Sequence, residues 1–327
     1  MERQSVCAVV VTYNRKDLLL ECLNALKGQT VPLDAIYLID NASTDETPQS
    51  LLSSGFIDNL PHEALTEPVQ YHKTAGDAAA TTDIYYVRMH RNTGGAGGFH
   101  EGVKRAYERG FQWLWLMDDD VEPVTEALQT MLTYTAVGDC VLPNKKFADG
   151  SVLTDDSYFS LSMGKMMPVR NGAFAERCRF SFKNYATFEG MLISRRIVEQ
   201  IGYPDRRFFY LGDDFVYGLM ASLYTNIVFI KDGLFYKKLK RQDAKSLMGR
   251  ESIRLKDMEI YYRVRNMFLI FEYMKKIGTF SPLAYIALFT NVLKSALGIV
   301  VYDRSPRRLY LLFKGLIDGI FKKFTKW

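Results

Sequence analysis

Histidine is scarce in this chain and cysteine is unpatterned. The four histidines all lie at or before His100, and the four cysteines are Cys7, Cys22, Cys140 and Cys178. No CxxC pair occurs, and no Cys/His spacing matches a zinc site. The cysteines therefore read as small buried residues in a reducing compartment. No Gly-Lys-Ser/Thr follows a glycine run, which excludes a P-loop. The N-terminal MERQSVCAVVVTYNR has too short an apolar run for a signal peptide. No segment is an uninterrupted membrane span. The best candidate, Leu283 to Tyr302, is broken by Asn291 and Lys294. Internal repeats and low-complexity tracts are absent as well.

What the chain does have is bulk and an uneven charge. Its 327 residues are 48% hydrophobic, enough for one large domain or two smaller ones. Residues 231–327 carry 21 Lys+Arg against 8 Asp+Glu, while residues 1–230 carry 21 against 29. An acidic front is thus joined to a basic back, which points to an anionic partner for the C-terminal part.

The first half alternates short β-rich runs with helical patterns. Val6–Val11, Ala35–Ile39, Ile84–Met89 and Phe111–Met117 read as buried strands. Helical spacing is clear over Lys16–Lys27, after the cap-rich Asn41-Ala-Ser-Thr-Asp-Glu-Thr, and over Gly95–Arg109. Residues 60–82 lack periodicity and read as a surface excursion. This order predicts a mostly parallel sheet with helices on both faces. Ligands bind beyond the carboxyl ends of strands in such sheets. Three polar clusters stand there: Thr12-Tyr13-Asn14-Arg15, Asp40-Asn41 and Asp118-Asp119-Asp120. They should meet on one edge. Beyond residue 240, helical patterns run over Arg250–Lys276, Pro282–Val301 and Arg307–Lys326.

Three successive aspartates at a buried strand end raise one another's pKa or recruit a cation. Residues i and i+2 of an extended segment point the same way, so Asp118 and Asp120 can share a hard divalent ion, Mn²⁺ or Mg²⁺. Helix capping needs only one carboxylate and leaves the other two unexplained. In Arg91-Asn-Thr-Gly-Gly-Ala-Gly-Gly-Phe99, four glycines precede a helix. They permit close backbone approach and leave N–H groups for a diphosphate, although a tight turn would use them too. A second acidic pair, Asp213-Asp214, follows Gly212. It reads either as helix capping or as a general base for an attacking hydroxyl. Glu189 is a further candidate on the acceptor side.

These segments, VVVTYNR, LIDNASTD, RNTGGAGGF, WLMDDD and GDDFVYG, in this order over roughly residues 6–220, resemble the family 2 inverting glycosyltransferases of GT-A fold. RNTGGAGGF with WLMDDD is most similar to the galactofuranosyltransferase branch. Tyr261–Ile270, YYRVRNMFLI, resembles a segment that follows the catalytic domain in galactofuranosyl- and rhamnosyltransferases. The resemblance implies an α/β GT-A catalytic domain over 1–240 and a helical, basic extension over 241–327. It implies that Thr12, Tyr13 and Arg15 line the nucleotide site and that Asp40 meets the base or ribose. Arg91, Asn92, Gly94 and Gly95 would lie near the diphosphate and donor sugar. Asp118 and Asp120 would hold the metal, with Asp119 beside the ribose or sugar. Asp214 would be the catalytic base, with Asp213 and Glu189 on the acceptor. One departure stands out. Relatives supply a metal-binding histidine after a later strand, whereas here Phe235 and Tyr236 occupy that stretch of IVFIKDGLFYKKLK.

The implied reaction is in-line displacement at the donor's anomeric carbon, with galactofuranose from UDP-galactofuranose as the leading donor. A rhamnosyltransferase using a deoxythymidine diphosphate sugar is the runner-up. A nucleotidyltransferase and a non-catalytic glycan-binding scaffold are the readings from other classes. KGLIDGIFKKFTKW has the composition of an interfacial helix on anionic lipid. That would suit a cytoplasmic enzyme, peripheral on the inner face of the cell membrane, acting on a lipid-linked or cell-surface glycan. No nucleic-acid-binding module is recognisable. The oligomeric state stays open, a homo-oligomer included.

Overall fold

The structure, a computed structural model, describes residues 4–62, 64–76, 81–147, 157–161, 165–168, 178–238, 244–247, 250–253 and 256–324. The expected boundary between catalytic and helical regions, 240/241, lies outside the described residues, as does the end of the tail, 325–327.

In chain order the elements are β1 (Val6–Thr12), α1 (Lys16–Lys27), β2 (Ala35–Asp40), α2 (Thr47–Ser53), β3 (Val69–Gly76), β4 (Thr81–Arg88), α3 (Gly94–Arg109), β5 (Trp113–Asp118), β6 (Val121–Pro123), α4 (Ala127–Thr133) and β7 (Cys140–Lys146). There follow the hairpin of β8 (Ser157–Ser160) and β9 (Lys165–Pro168), then β10 (Phe180–Lys183), β11 (Met191–Ser194), α5 (Arg195–Ile201), α6 (Asp213–Ala221) and β12 (Ile227–Lys237). A second hairpin, β13 (Ala244–Leu247) and β14 (Arg250–Ile253), precedes α7 (Asp257–Lys276), α8 (Leu283–Gly298) and α9 (Pro306–Ile320).

The main sheet runs β10-β12-β7-β11-β5-β1-β2-β4-β3, with β6 paired to β12. Its centre is parallel, with β1 between β2 and β5 and β4 beyond β2. All seven residues of β1 are buried because both faces are covered. Val6, Ala8 and Val10 pack with α1, whereas Cys7, Val9 and Val11 pack with α3 and α5. Each fully buried side chain of this size contributes about 1.5–3 kcal/mol of transfer free energy. The expected mostly parallel sheet flanked by helices is therefore what forms.

Two expectations give way. Residues 69–76 are not an excursion but β3, an antiparallel edge strand on β4. Tyr71 and Ala75 face the core, while His72 and Thr74 face solvent. The long helix expected from Arg250 starts only at Asp257, because Arg250–Ile253 is paired as a strand with Ala244–Leu247.

α7 and α9 pack closely, since Gly315 lies against the Tyr261 carbonyl and Gly319 against the Phe268 ring. α8 continues through the π-helical Ile299–Asp303 into one helical stretch. Among the described residues, Leu283–Asp303 is long and apolar enough by length and composition to cross a membrane. Asn291 and Lys294 do not interrupt it as a helix.

Candidate active site

The register sets the site. Val11 is level with Asp118 and Thr12 with Asp40, so the ends of β1, β5 and β2 come to one edge together. β11 then enters antiparallel between β5 and β7, with Met191 opposite Leu116. Its start therefore lies beside the end of β5. Continuing that register sets Glu189 opposite Asp118. Gly190 makes the turn at φ +99°, where a Cβ would meet Pro143 and Phe235. Carboxylate oxygens of Asp118, Asp120 and Glu189 all lie within 4.8 Å of one another. Glu189, expected on the acceptor side, thus stands in the acidic cluster itself.

The three aspartates differ. Asp119 is turned inward, 3% exposed, and accepts from the Thr12 hydroxyl at 2.7 Å and from Arg15 at 3.0 Å. Arg15 also reaches Asp120 at 3.5 Å. Asp118 has its carboxyl raised well above the usual range, by burial first and then by Asp120, Glu189, Asp119 and Asp214. An oxygen-only cluster with this much mutual repulsion suits a hard divalent cation. The donor set therefore fits Mn²⁺ or Mg²⁺ on Asp118 and Asp120.

Glu189 has competing partners. Lys145 from the end of β7 and Lys237 from the end of β12 each pair with one of its oxygens. Burial alone would raise this carboxyl. The two ammonium groups outweigh burial and hold it down at about 2. Neither lysine stood out in the sequence, because only the parallel pairing of β7 and β12 brings them to one edge. Phe235, in the stretch where the resemblance led us to expect a metal-binding histidine, is a core residue packed edge-on against Trp115.

On the other flank, Tyr13 and Arg15 stand exposed beyond β1. The Asn14 amide donates to Ser43 Oγ at 3.0 Å, and the Thr44 amide donates to Asn14 Oδ1, so the loops after β1 and β2 form one wall. Asp40 has no exposed surface. Its carboxylate accepts from Tyr86 at 2.8 Å, from the Ser43 amide at 2.8 Å and from Arg88. In this structure it shapes the turn after β2 and has no surface for a ligand.

The glycine loop also differs from expectation. A Cβ on Gly94 would lie 2.0 Å from the Phe209 carbonyl oxygen, one on Gly97 2.4 Å from Thr93, and one on Gly98 2.5 Å from Val11. Gly94 and Gly98 therefore let α3 pack against the 206–212 segment and β1, while Gly97 makes room for the Thr93 side chain at the start of the helix. Only Gly95 opens onto free space. Two of the N–H groups there are also spoken for, Gly94 by Asn92 Oδ1 at 2.8 Å and Ala96 by the Phe209 carbonyl at 3.3 Å. Asn41 fastens the loop by donating to the Gly94 carbonyl at 2.7 Å and accepting from the Thr93 amide at 2.8 Å. Arg91 stays exposed at the rim.

Asp213 and Asp214 form the first turn of α6 after Gly212, which takes φ +95°. Burial raises both carboxyls. Asp214 is the next contributor for Asp213, while the Phe215 amide, donating at 2.7 Å, partly offsets the rise at Asp214. Asp213 is buried, and Asp214 is the more accessible of the two. The charge of Asp214 raises the Asp118 carboxyl, and that of Glu189 raises Asp214.

A sequence profile described as "Glycosyl transferase family 2" matches residues 7–54 and 57–202, more than half of the chain. A galactofuranosyltransferase, GlfT1 of Mycolicibacterium smegmatis, is 28% identical over 223 residues, covering 64% of this chain and 62% of that protein. The chain thus matches somewhat under two thirds of that relative's length. Staphylococcus aureus TarS residues 1–349, solved with UDP-GlcNAc, superposes with a TM-score of 0.53 at 14% identity, covering 98% of this chain and 83% of that one. The mannosyltransferase PcManGT of Pyrobaculum calidifontis, solved with GDP-Man and Mn²⁺, gives 0.53 at 16% identity, covering 99% and 89%. These likenesses establish the GT-A fold.

Proposed function

The chain belongs to glycosyl transferase family 2, and from that premise we propose that it moves galactofuranose from UDP-galactofuranose to a hydroxyl of a lipid-linked or cell-surface glycan, with inversion. The observation that carries the reading is the cluster of Asp118, Asp120 and Glu189 carboxylates at one sheet edge, with the pair Asp213-Asp214 opening α6 as the second acidic group. The choice of sugar rests on the likeness to GlfT1.

Asp118 and Asp120 would hold Mn²⁺ or Mg²⁺, whose chemistry is to neutralise the departing diphosphate. Arg15 fixes Asp119 and leaves its remaining donors toward the nucleotide wall formed with Tyr13. The nucleoside lies between the loops after β1 and β2. Arg91, Asn92 and the open Gly95 border the diphosphate and sugar. Asp214 accepts the proton of the acceptor hydroxyl as that oxygen bonds to the anomeric carbon and the bond to the diphosphate breaks. Asp213 contacts the acceptor. Glu189 with Lys145 and Lys237 forms the floor between metal and acceptor. A panel of UDP-galactofuranose, UDP-GlcNAc, dTDP-rhamnose and GDP-mannose, assayed with Mn²⁺ and with chelator, tests this. Nucleoside diphosphate release confined to UDP-galactofuranose with metal is expected. Preference for dTDP-rhamnose would overturn the sugar, and pyrophosphate release would overturn the class.

The same proposal sets the basic helices against the inner face of the cell membrane. The support is an apolar face with a cationic rim. Ile286, Phe289, Leu293 and Leu297 of α8 and Phe313 and Ile317 of α9 are exposed, and Lys294, Arg304 and Lys323 stand exposed among them. A face of this extent is covered in a working protein. The protein should pellet with vesicles containing anionic lipid. Because α8 shares the face, I286E/L293E/L297E should release it, and unchanged pelleting of that variant would refute the docking.

A further inference from the structure

The segment YYRVRN lies in α7, outside the five motifs, yet it buries two strongly polar side chains in mid-helix. Arg265 is 0% and Asn266 2% exposed. Polar groups buried this deeply need partners, and the partners here are the backbone carbonyls of one short segment. Arg265 Nη2 donates to the carbonyls of Arg207 and Phe208, both at 2.7 Å. Asn266 Nδ2 donates to those of Phe208 at 3.1 Å, Tyr210 at 2.8 Å and Leu211 at 2.7 Å. Arg265 Nε donates to Asn266 Oδ1 at 2.8 Å, which locks the orientation of the amide.

That segment has an uncommon backbone. Phe209 takes φ +61°, Leu211 +68° and Gly212 +95°. Two of these are not glycine, so the shape persists only where the surroundings hold it. The next residues are Asp213 and Asp214 at the start of α6. The segment's other side meets α3, where the Phe209 carbonyl accepts from the Ala96 amide and rests against Gly94. The Phe209 ring stacks on Tyr262 at 5.3 Å, and the Arg265 guanidinium lies 4.6 Å over the same ring.

We propose that Arg265 and Asn266 are positioning residues for the base: by gathering the carbonyls of residues 207–211 they set where α6 begins, and so where Asp214 stands relative to the donor loop at Gly94. The proposal rests on the reading of Asp214 as the base. It assigns α7 a part in the reaction through the segment that it holds. Removing the carbonyl clamp lets Asp213-Asp214 drift, while the nucleotide wall after β1 and β2, which α7 does not touch, stays in place. A displacement of about 1 Å at a reacting group costs up to roughly 100-fold in rate.

The test uses the full chain, with Asn266→Ala and the conservative Arg265→Lys. Hydrogen exchange of peptides covering 206–217 is compared with that of β1, β5 and α7. UDP binding with Mn²⁺ and UDP-galactofuranose hydrolysis, with water as acceptor, are measured beside it. N266A should speed exchange over 206–217 about tenfold or more, lower kcat by roughly 10- to 100-fold, and leave donor KM and the UDP dissociation constant within about threefold. R265K should keep most of the wild-type rate. If N266A does not fold, N266S, which keeps one donor, should show the same pattern at smaller size. Unchanged exchange over 206–217, a loosened segment with unchanged kcat, or exchange raised equally in the sheet and α7 would each overturn the clamp. Failure of the wild type to consume any sugar nucleotide would instead overturn the proposed function, and the exchange comparison would still decide whether Arg265 and Asn266 hold the segment.

Discussion

Replacing Gly94 with alanine probes the junction between donor loop and base loop. Gly94 takes φ +75°, and its added Cβ would lie 2.0 Å from the Phe209 oxygen and 2.6 Å from its carbon. The left-handed backbone alone costs a non-glycine residue about 1–2 kcal/mol. The overlap is with backbone and cannot be relieved by a rotamer change. Either Gly94 or the 206–212 segment must move, at the expense of Ala96 N–H to Phe209 and Asn41 to Gly94. Each such bond is worth about 1 kcal/mol net. The sum is about 3–4 kcal/mol, or a fall of about 5 °C in Tm for a chain of this size. Gly95→Ala is the control. No atom lies within 4 Å of its added Cβ, and alanine is favoured in a helix by up to about 1 kcal/mol. Its Tm should hold or rise by about 2 °C, while its methyl, placed where the diphosphate lies, should weaken UDP binding about tenfold, about 1.4 kcal/mol. Thermal unfolding and calorimetric titration of both variants give the answer. If G94A melts no lower than G95A, the packing argument for this glycine run fails.

Asp118→Ala and Asp120→Ala should each abolish Mn²⁺ binding in the low-micromolar-to-millimolar range and weaken UDP binding with metal, and a variant that binds both normally contradicts the metal assignment. Turnover should rise with pH. Asp214 works as a base only when ionised, and burial with Glu189 nearby holds its proton above the usual carboxylate range. A rate flat from about pH 5 to 7 would contradict that environment.

The parts of the site legible in sequence were those carried by one strand each. VCAVVVT, AIYLID and WLWLMD are apolar runs buried on both faces that end in polar residues, so strand ends and candidate ligands were read from the same segment. What escaped depends on pairing between distant segments. Glu189 enters the acidic cluster only because β11 runs antiparallel to β5. Lys145 and Lys237 meet on it only through the pairing of β7 and β12. β3 was hidden because a half-exposed edge strand alternates residues such as Tyr71, His72, Lys73 and Thr74, none strongly apolar. The glycine run is ambiguous in sequence for a plain reason. Close approach to a ligand and close approach to a neighbouring chain both demand a missing Cβ, and only the neighbours of Gly94, Gly97 and Gly98 show which applies.

In the proposed reaction a metal-held sugar nucleotide is attacked by a hydroxyl whose proton goes to Asp214. Asp214→Asn tests it most directly, with UDP-galactofuranose turnover and UDP binding measured on the same preparation with Mn²⁺. The expected result is a loss of about 10²–10⁴-fold in kcat, with the UDP dissociation constant within about twofold, since the nucleotide wall is built from the loops after β1 and β2. Turnover within about threefold of wild type, with UDP binding unchanged, would contradict it.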